Sequence, residues 1–373
     1  MTVKDAIKKM KLILFLPLGV IISYIASKSP AIVENFYSNG FYTWIAQGIS
    51  RITGIFPFSV GEILFILLII FFIYRLIFIA LTIIKEPSRG KYIFLNFILN
   101  TTIFMSIIYF AFIMLWGLNY HRLTFSKLSD LNIKPASINE LAFLCDNLIQ
   151  RGNKLREKVE ENSLGVMKLS YSHSEFFKRA SKGYEEISNT YPELKGQYGI
   201  PKGIFLSKAL SISGISGIYS PLTFEANVNT EIPDSMLPST TCHEIAHQRG
   251  FAREDEANFI SYLACIQHPD VEFQYSGTLL ALIHAMNALN RHDKGRFIDL
   301  HGKYSEGVLR DLKFIRKFWK SYEGPIERAS SKLNNAYLKS NYQKDGIYSY
   351  GRMVDLLIAE YREKMVKGKR NGF

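Results

Sequence analysis

The sequence predicts a mainly α protein in two parts: three N-terminal transmembrane helices, then an α+β, predominantly helical domain in water. Three observations predict it. Of 373 residues, 1–116 hold ten basic and four acidic side chains among nearly continuous apolar and aromatic ones, whereas 117–373 hold 35 and 29. Two segments of the first part reach the roughly 20 apolar residues that a spanning helix needs. The second part places apolar residues three and four apart, the period of a one-sided helix, with only two short alternating runs. The chain therefore divides into a membrane domain, 1–116, and a soluble domain, 117–373.

The first apolar segment, Leu12 to Ser27, contains Pro17 and Gly19. It reads as a retained helix, with the apolar core of a secretory signal as the alternative. The stretch Phe36–Phe58 carries Tyr42, Trp44 and apolar residues at helical spacing, and is expected to lie along the interface. Residues 62–84 hold two charges, Glu62 at the edge and Arg75 inside. Arg75 reads as a displaced flank residue that snorkels or finds a partner. Residues 92–116 hold no charge, and Asn96, Asn100, Thr101 and Thr102 suit contacts between helices.

Lys4, Lys8, Lys9 and Lys11 precede the first segment, and Lys85, Arg89 and Lys91 lie between the second and third. This arrangement predicts a multi-pass protein of the cell membrane. Its N-terminus and 85–91 loop lie in the cytoplasm, and its large C-terminal domain lies outside it. The flanking charges face anionic headgroups, so membrane lipid is an expected partner. The net charge of +12 does not imply nucleic acid, because no basic-aromatic recognition motif accompanies it. Cys145, Cys242 and Cys265 form neither a C-x-x-C pair nor a disulfide framework.

In the soluble part, Ser137 with Glu140 and Ser172 with Glu175 have capping-box spacing, and each opens a helix. Gly203–Ser207 and Leu222–Val228 read as strands, joined by a Gly/Ser-rich connector from Ser211 to Gly217. Helical patterning returns at 236–249, 254–266, 276–291, 300–322 and 352–366, while 329–348 reads as a polar loop.

The chemistry concentrates in PSTTCHEIAHQRGFAREDEANFISYLAC, whose His243, Glu244 and His247 form H-E-x-x-H. Residues four apart share a helix face, so both imidazoles can approach one ion. Zn²⁺ accepts two His nitrogens and, in catalytic sites, usually one more ligand and a water. Glu244 lies beside the pair and can take a proton from that water. Gly250 can end the helix in a left-handed conformation and return the acidic segment 254–256 to the ion. Glu254 is the preferred third ligand, since Asn258 one turn later can orient a histidine ring. Ile260 stands one turn after Glu256 and can do neither, yet Glu256 remains the alternative; Asp255 reads as a helix cap. The same residues read without a metal are a helix with surface histidines and an N-terminus stabilised by negative charge.

Leu222–Val228 reads either as the exposed edge on which a substrate peptide adds a strand or as a core strand. Tyr219, Tyr348 and Tyr350 are candidate donors to a tetrahedral oxyanion. Cys242 reads as a packed small side chain and His284 as a core or surface histidine.

At these residues the sequence resembles the zincin group of zinc metallopeptidases. Glu254-Asp255-Glu256-Ala257-Asn258 stands as E-x-x-x-N where the glutamate-ligand zincins have E-x-x-x-D, and is also similar to the E-x-x-A-N of peptidases that cleave bacterial repressors. The gap from His247 to Glu254 is shorter than in those families. The compact H-E-x-x-H-x-x-G is similar to the metzincins, with Arg253 where their third histidine would stand. The N-terminal spans together with GIYSPLTFEANVN (217–229), CHEIAHQRGFAREDEAN (242–258) and YSYGRMVDLL (348–357) resemble a bacterial membrane family catalogued as domain of unknown function 3810. The resemblance implies a membrane-anchored metallopeptidase with a zincin-like soluble domain. The expected activity is hydrolysis of a protein or peptide substrate, with Zn²⁺ on His243, His247 and Glu254 and with Glu244 as general base. The alternatives are a non-catalytic membrane protein with a structural or sensory zinc site, and a helical membrane scaffold.

Overall fold

The computed structural model describes residues 9–341, 343 and 352–370, and they are mainly helical. After a short 3-10 turn, α1 (Phe15–Ser27) runs alongside a later membrane helix, with Phe15 against Phe110 and Gly19 close to Tyr109. The chain turns at Ser29, and α2 (Pro30–Thr53) departs at 101° to the helix before it. Val33–Tyr42 within α2 is wound as a π-helix, a form that occurs at functional sites. Ser59 caps α3 (Val60–Lys85) by accepting from the Glu62 amide at 3.0 Å. After Glu86-Pro87 the chain reverses into α4 (Gly90–Leu115).

Two helices are long and apolar enough to cross a membrane, Val60–Lys85 and Pro87–Leu115. This corrects the expectation of three. The first apolar segment is too short by itself, and it continues into Pro30–Thr53 only through the 101° bend. The face of α2 turned away from the protein carries Phe36 and Trp44, 74% and 75% exposed, with Ile52. Its other face buries Val33, Glu34, Tyr37, Ser38, Tyr42 and Ala46. The polar residues of α4 divide: Asn100 accepts from Lys9, Thr102 bonds back to its own helix at Ile98, and Asn96 Oδ1 is buried without a partner. Arg75 lies over the Phe78 ring at 5.9 Å. Lys4 and Lys8 lie outside the described residues.

Beyond a 3-10 turn at Gly117–His121, the second part of the chain begins with α5 (Phe125–Leu128) and α6 (Ile138–Arg156). The Ser137–Glu140 capping box is formed in both directions, at 3.2 and 2.9 Å. The helix expected from Ser172 is two, α7 (His173–Arg179) and α8 (Lys182–Ile187). The break lets Gly183 meet the backbone at Ala264, where a Cβ would come within 2.2 Å of the carbonyl oxygen.

The sheet is small and has the order β1-β3-β2. Strand β1 (Lys202–Gly203) is only the start of the expected 203–207 strand, because α9 (Ser207–Ile212) takes over. The end of the expected connector is instead strand β2 (Gly217–Ser220), antiparallel to β3 (Glu225–Val228), with Ile218 opposite Asn227. Strand β3 also pairs with β1 in parallel, so it is central and wholly buried. This corrects the edge-strand alternative for 222–228: the edge beside the site is β2.

Five helices follow, α10 (Leu237–Gln248), α11 (Glu254–Gln267), α12 (Val271–His292), α13 (Lys294–His301) and α14 (Glu306–Lys320), and they share the main core with α6, α7 and α8. The expected 300–322 helix is thus divided at Gly302–Tyr304. Helix α15 (Pro325–Ser340) replaces most of the expected loop at 329–348, started by Pro325 at its first position. The last described element is α16 (Met353–Arg370).

A second core joins the two parts of the chain. It unites Tyr37, Tyr42 and Ala46 of α2 with Ile113 and Trp116 and with Tyr219, Phe224 and Ala252. Two carboxylates fasten the start of α3 to the sheet region. Glu225 accepts from the Val60 and Gly61 amides at 3.0 and 2.7 Å, and Glu62 accepts from Phe205 and Leu206 at 3.0 and 2.8 Å.

Candidate metal centre

The H-E-x-x-H residues lie in the second half of α10. The helix stops where expected: Gly250 has φ +84°, its amide donates to His247 O at 2.8 Å, and Phe251 donates to Ala246 O at 3.2 Å. This pair of bonds satisfies the last carbonyls and turns the chain by the left-handed route. Four residues later α11 begins, and Glu254 in its first turn faces α10.

His243 Nε2 lies 3.2 Å from Glu254 Oε2 and His247 Nε2 lies 3.7 Å from it, with the three potential ligand atoms all within 4.8 Å of one another. Ligands of a tetrahedral zinc about 2.0–2.1 Å away stand about 3.4 Å apart, so the cluster fits such an ion after small side-chain movements. The outward nitrogens support the same geometry. His247 Nδ1 lies 2.7 Å from the Phe251 carbonyl, which only accepts, and His243 Nδ1 lies 2.9 Å from Asn258 Oδ1. In the neutral rings these bonds keep the proton on Nδ1, so that each Nε2 can turn a lone pair into the cluster. Glu256 is not part of it: its carboxylate accepts from the Phe125 amide and from Arg253, both at 2.9 Å.

Without an ion, the cluster holds itself by charge. Burial drives the Glu254 carboxyl up, but the His247 charge and hydrogen bonds from both rings outweigh it and hold it well below the carboxylate range. Burial lowers the His247 imidazole, yet Glu254 reverses this and leaves it at about 9.

Glu244 is buried beside the histidines, and its Oε2 has no hydrogen-bond partner. Burial, opposed by both histidines, pushes its carboxyl up to about 6. Its Oε1 lies where Gly217 of β2 passes, and a Cβ there would stand 2.5 Å away. Only glycine allows the strand to approach this closely.

A cavity of about 840 Å³ opens onto His243, Glu244, His247 and Glu254. Strand β2 and Ser213–Ser216 form one wall, and Leu333, Asn334 and Tyr337 of α15 form another. Phe112 and Trp116, at the end of α4, form part of its lining. Of the expected oxyanion donors, Tyr219 lines the cavity, but its hydroxyl is engaged with Tyr42 at 2.9 Å. Tyr348 and Tyr350 lie outside the described residues. Cys242 is fully buried, as expected. His284 faces the cavity, and burial together with the nearby His243 lowers it to about 4.

Several residues that position the site carry no sequence signal. Tyr42 of α2 reaches the end of α10, its hydroxyl 3.2 and 3.1 Å from the His247 and Gln248 carbonyls. Arg122, itself buried against Glu34 at 2.6 Å, donates to Gly250 O at 3.1 Å and covers the Phe251 ring. Trp116 packs edge-on against His247, ring centres 5.9 Å apart. Their spacing in sequence is irregular, and only the folded chain brings them together.

A family model described as "Protein of unknown function (DUF3810)" matches residues 37–358. No curated protein and no solved structure matches the chain.

Proposed function

The chain belongs to the DUF3810 family, and we propose that it is a membrane-anchored, zincin-like zinc metallopeptidase. One observation carries this reading: two oriented imidazoles and the Glu254 carboxylate converge beside a buried glutamate in an open cavity. When bound there, Zn²⁺ supplies a Lewis acid that polarises a scissile carbonyl and acidifies water. Glu244 accepts the proton of the attacking water on its unpartnered Oε2 and passes it to the leaving amine. A carboxyl raised by burial suits this exchange near neutral pH better than a solvated one. Strand β2 is an outer strand of the sheet whose Gly217 lies beside Glu244, which suits pairing with an extended peptide. Neutral His284, which also lines the cavity, is a candidate donor for charge developing on the carbonyl oxygen.

The basic 85–91 loop between α3 and α4 supports a cytoplasmic loop and a metal centre on the other side of the membrane. The test is made on full-length protein in vesicles with a mixed peptide library. Wild type should bind one zinc and cleave; His243→Ala, His247→Ala and Glu254→Ala should lose the metal. Glu244→Gln should keep zinc while turnover falls about 10²–10⁴-fold, the range of a lost general base. A Glu244→Gln protein cleaving like wild type would overturn the assignment.

A further inference from the structure

We infer that the substrate is a polypeptide anchored in the same bilayer, cut in the few residues next to its anchor. The inference rests on the peptidase reading above and names its substrate class. Its basis is the depth of the cavity relative to the apolar helices.

Phe112 belongs to α4, three residues before its end, and lines the cavity. At 1.5 Å per residue it sits about 5 Å along the axis from that end. Trp116, the next residue after α4, touches His247. No linker therefore separates the membrane helix from the metal ligands. Helix α2 gives the same depth independently. Its inner face binds the last carbonyls of α10 through Tyr42, and its outer face presents Phe36 and Trp44. One helix diameter, about 10 Å, thus separates the catalytic helix from a surface built to enter lipid. The headgroup zone on each side of a bilayer is about 5–8 Å thick. The reacting centre stands at its outer limit.

The mouth of the cavity matches this position. Ile218 on the free edge of β2 and Leu333 on α15 line it and are 48% and 72% exposed. Phe205, 74% exposed, lies in the chain segment that Glu62 ties to the start of α3. A dissolved peptide must first find the membrane surface to reach this edge. A tethered one is already there, at an effective concentration in the millimolar range for a short flexible link. At about 3.4 Å per extended residue, spanning about 10 Å takes at least about three residues.

The experiment uses full-length, zinc-loaded protein in phosphatidylcholine vesicles. One mixed-sequence peptide library is offered in three forms: attached to a dialkyl lipid in the same vesicles, attached in separate vesicles, and free in solution. Mass spectrometry locates the cuts. The expected result is at least tenfold faster cleavage in the shared vesicles, with cuts concentrated about three to eight residues from the lipid. Equal rates for the free and shared-vesicle forms, or cuts spread evenly along the peptide, overturn the inference and leave the peptidase reading standing. Zinc-loaded protein that cleaves none of the three forms overturns the peptidase reading and this inference with it.

Discussion

At the scale of single residues, the proposed zinc site would set a proton against a metal for His247. In the metal-free protein Glu254 holds this imidazole at about 9, above the ordinary value of 6.5. A raised folded value means that the pair stabilises fully below pH 6.5 and loses that contribution as pH rises through 9. Zinc requires the neutral ring, so its binding strengthens over the same interval. Thermal unfolding should show the metal-free protein losing Tm between pH 6.5 and 9 while the gain from added zinc grows. A His247→Gln protein should show neither trend. A second prediction concerns Gly217, where a Cβ would lie 2.5 Å from Glu244 Oε1. Gly217→Ala should displace the carboxylate, lowering turnover at least tenfold with zinc content unchanged. Ligand spacing was legible in the sequence because four residues on a helix fix a geometry. The choice of Glu254 followed from Asn258 one turn on, and Asn258 does hold the His243 ring. The role of Tyr42, 205 residues from His247, could not be read, because no local rule links such distant positions.

At the scale of elements, what could be read depended on whether local chemistry or tertiary contact decides. The stop of α10 was legible: a glycine three residues after the second histidine adopts φ +84° and closes the helix. Gly250→Ala should cost roughly 1–3 kcal/mol, since the residue must hold a left-handed conformation and its Cβ would stand 2.9 Å from the Tyr42 ring. Urea unfolding of the metal-free protein measures it. Strands were less legible. Two to four residues per strand leave too little alternation to recognise, and the neighbours of β3 are chosen by long-range pairing. Helix α15 was missed for a related reason. Its Ser, Asn and Lys content resembles a loop, and Leu338 is its one buried residue among those described. Its place is set by the cavity it walls.

At the scale of the molecule, composition divides the chain near residue 116, but packing does not. The core containing Tyr42, Trp116, Tyr219 and Phe224 takes residues from both sides of that boundary. Arg122 is buried with its carboxylate partner Glu34 on α2. Cutting there would strand a buried charge, which costs several kcal/mol. Residues 117–373 expressed alone should therefore fail to hold zinc stoichiometrically, whereas the full chain in detergent should hold it. Metal analysis after gel filtration decides between these outcomes.

If the proposed activity holds, the direct run of α4 into Trp116 would also make lipid a variable of the chemistry. Helix α3 has 26 residues, about 39 Å of helix, against a hydrocarbon layer of about 30 Å. Such an excess is absorbed by tilt, and the tilt changes with acyl-chain length. Because α4 ends with Trp116 against the ring of His247, a proposed zinc ligand, hydrophobic mismatch at the hairpin is expected to act as a torque on the imidazole. Turnover should pass through an optimum as vesicle lipids lengthen from 14 to about 22 carbons, with zinc content constant; a flat profile would show that thickness is not transmitted. Such an optimum would make the bilayer a setting on the proposed activity as well as a support.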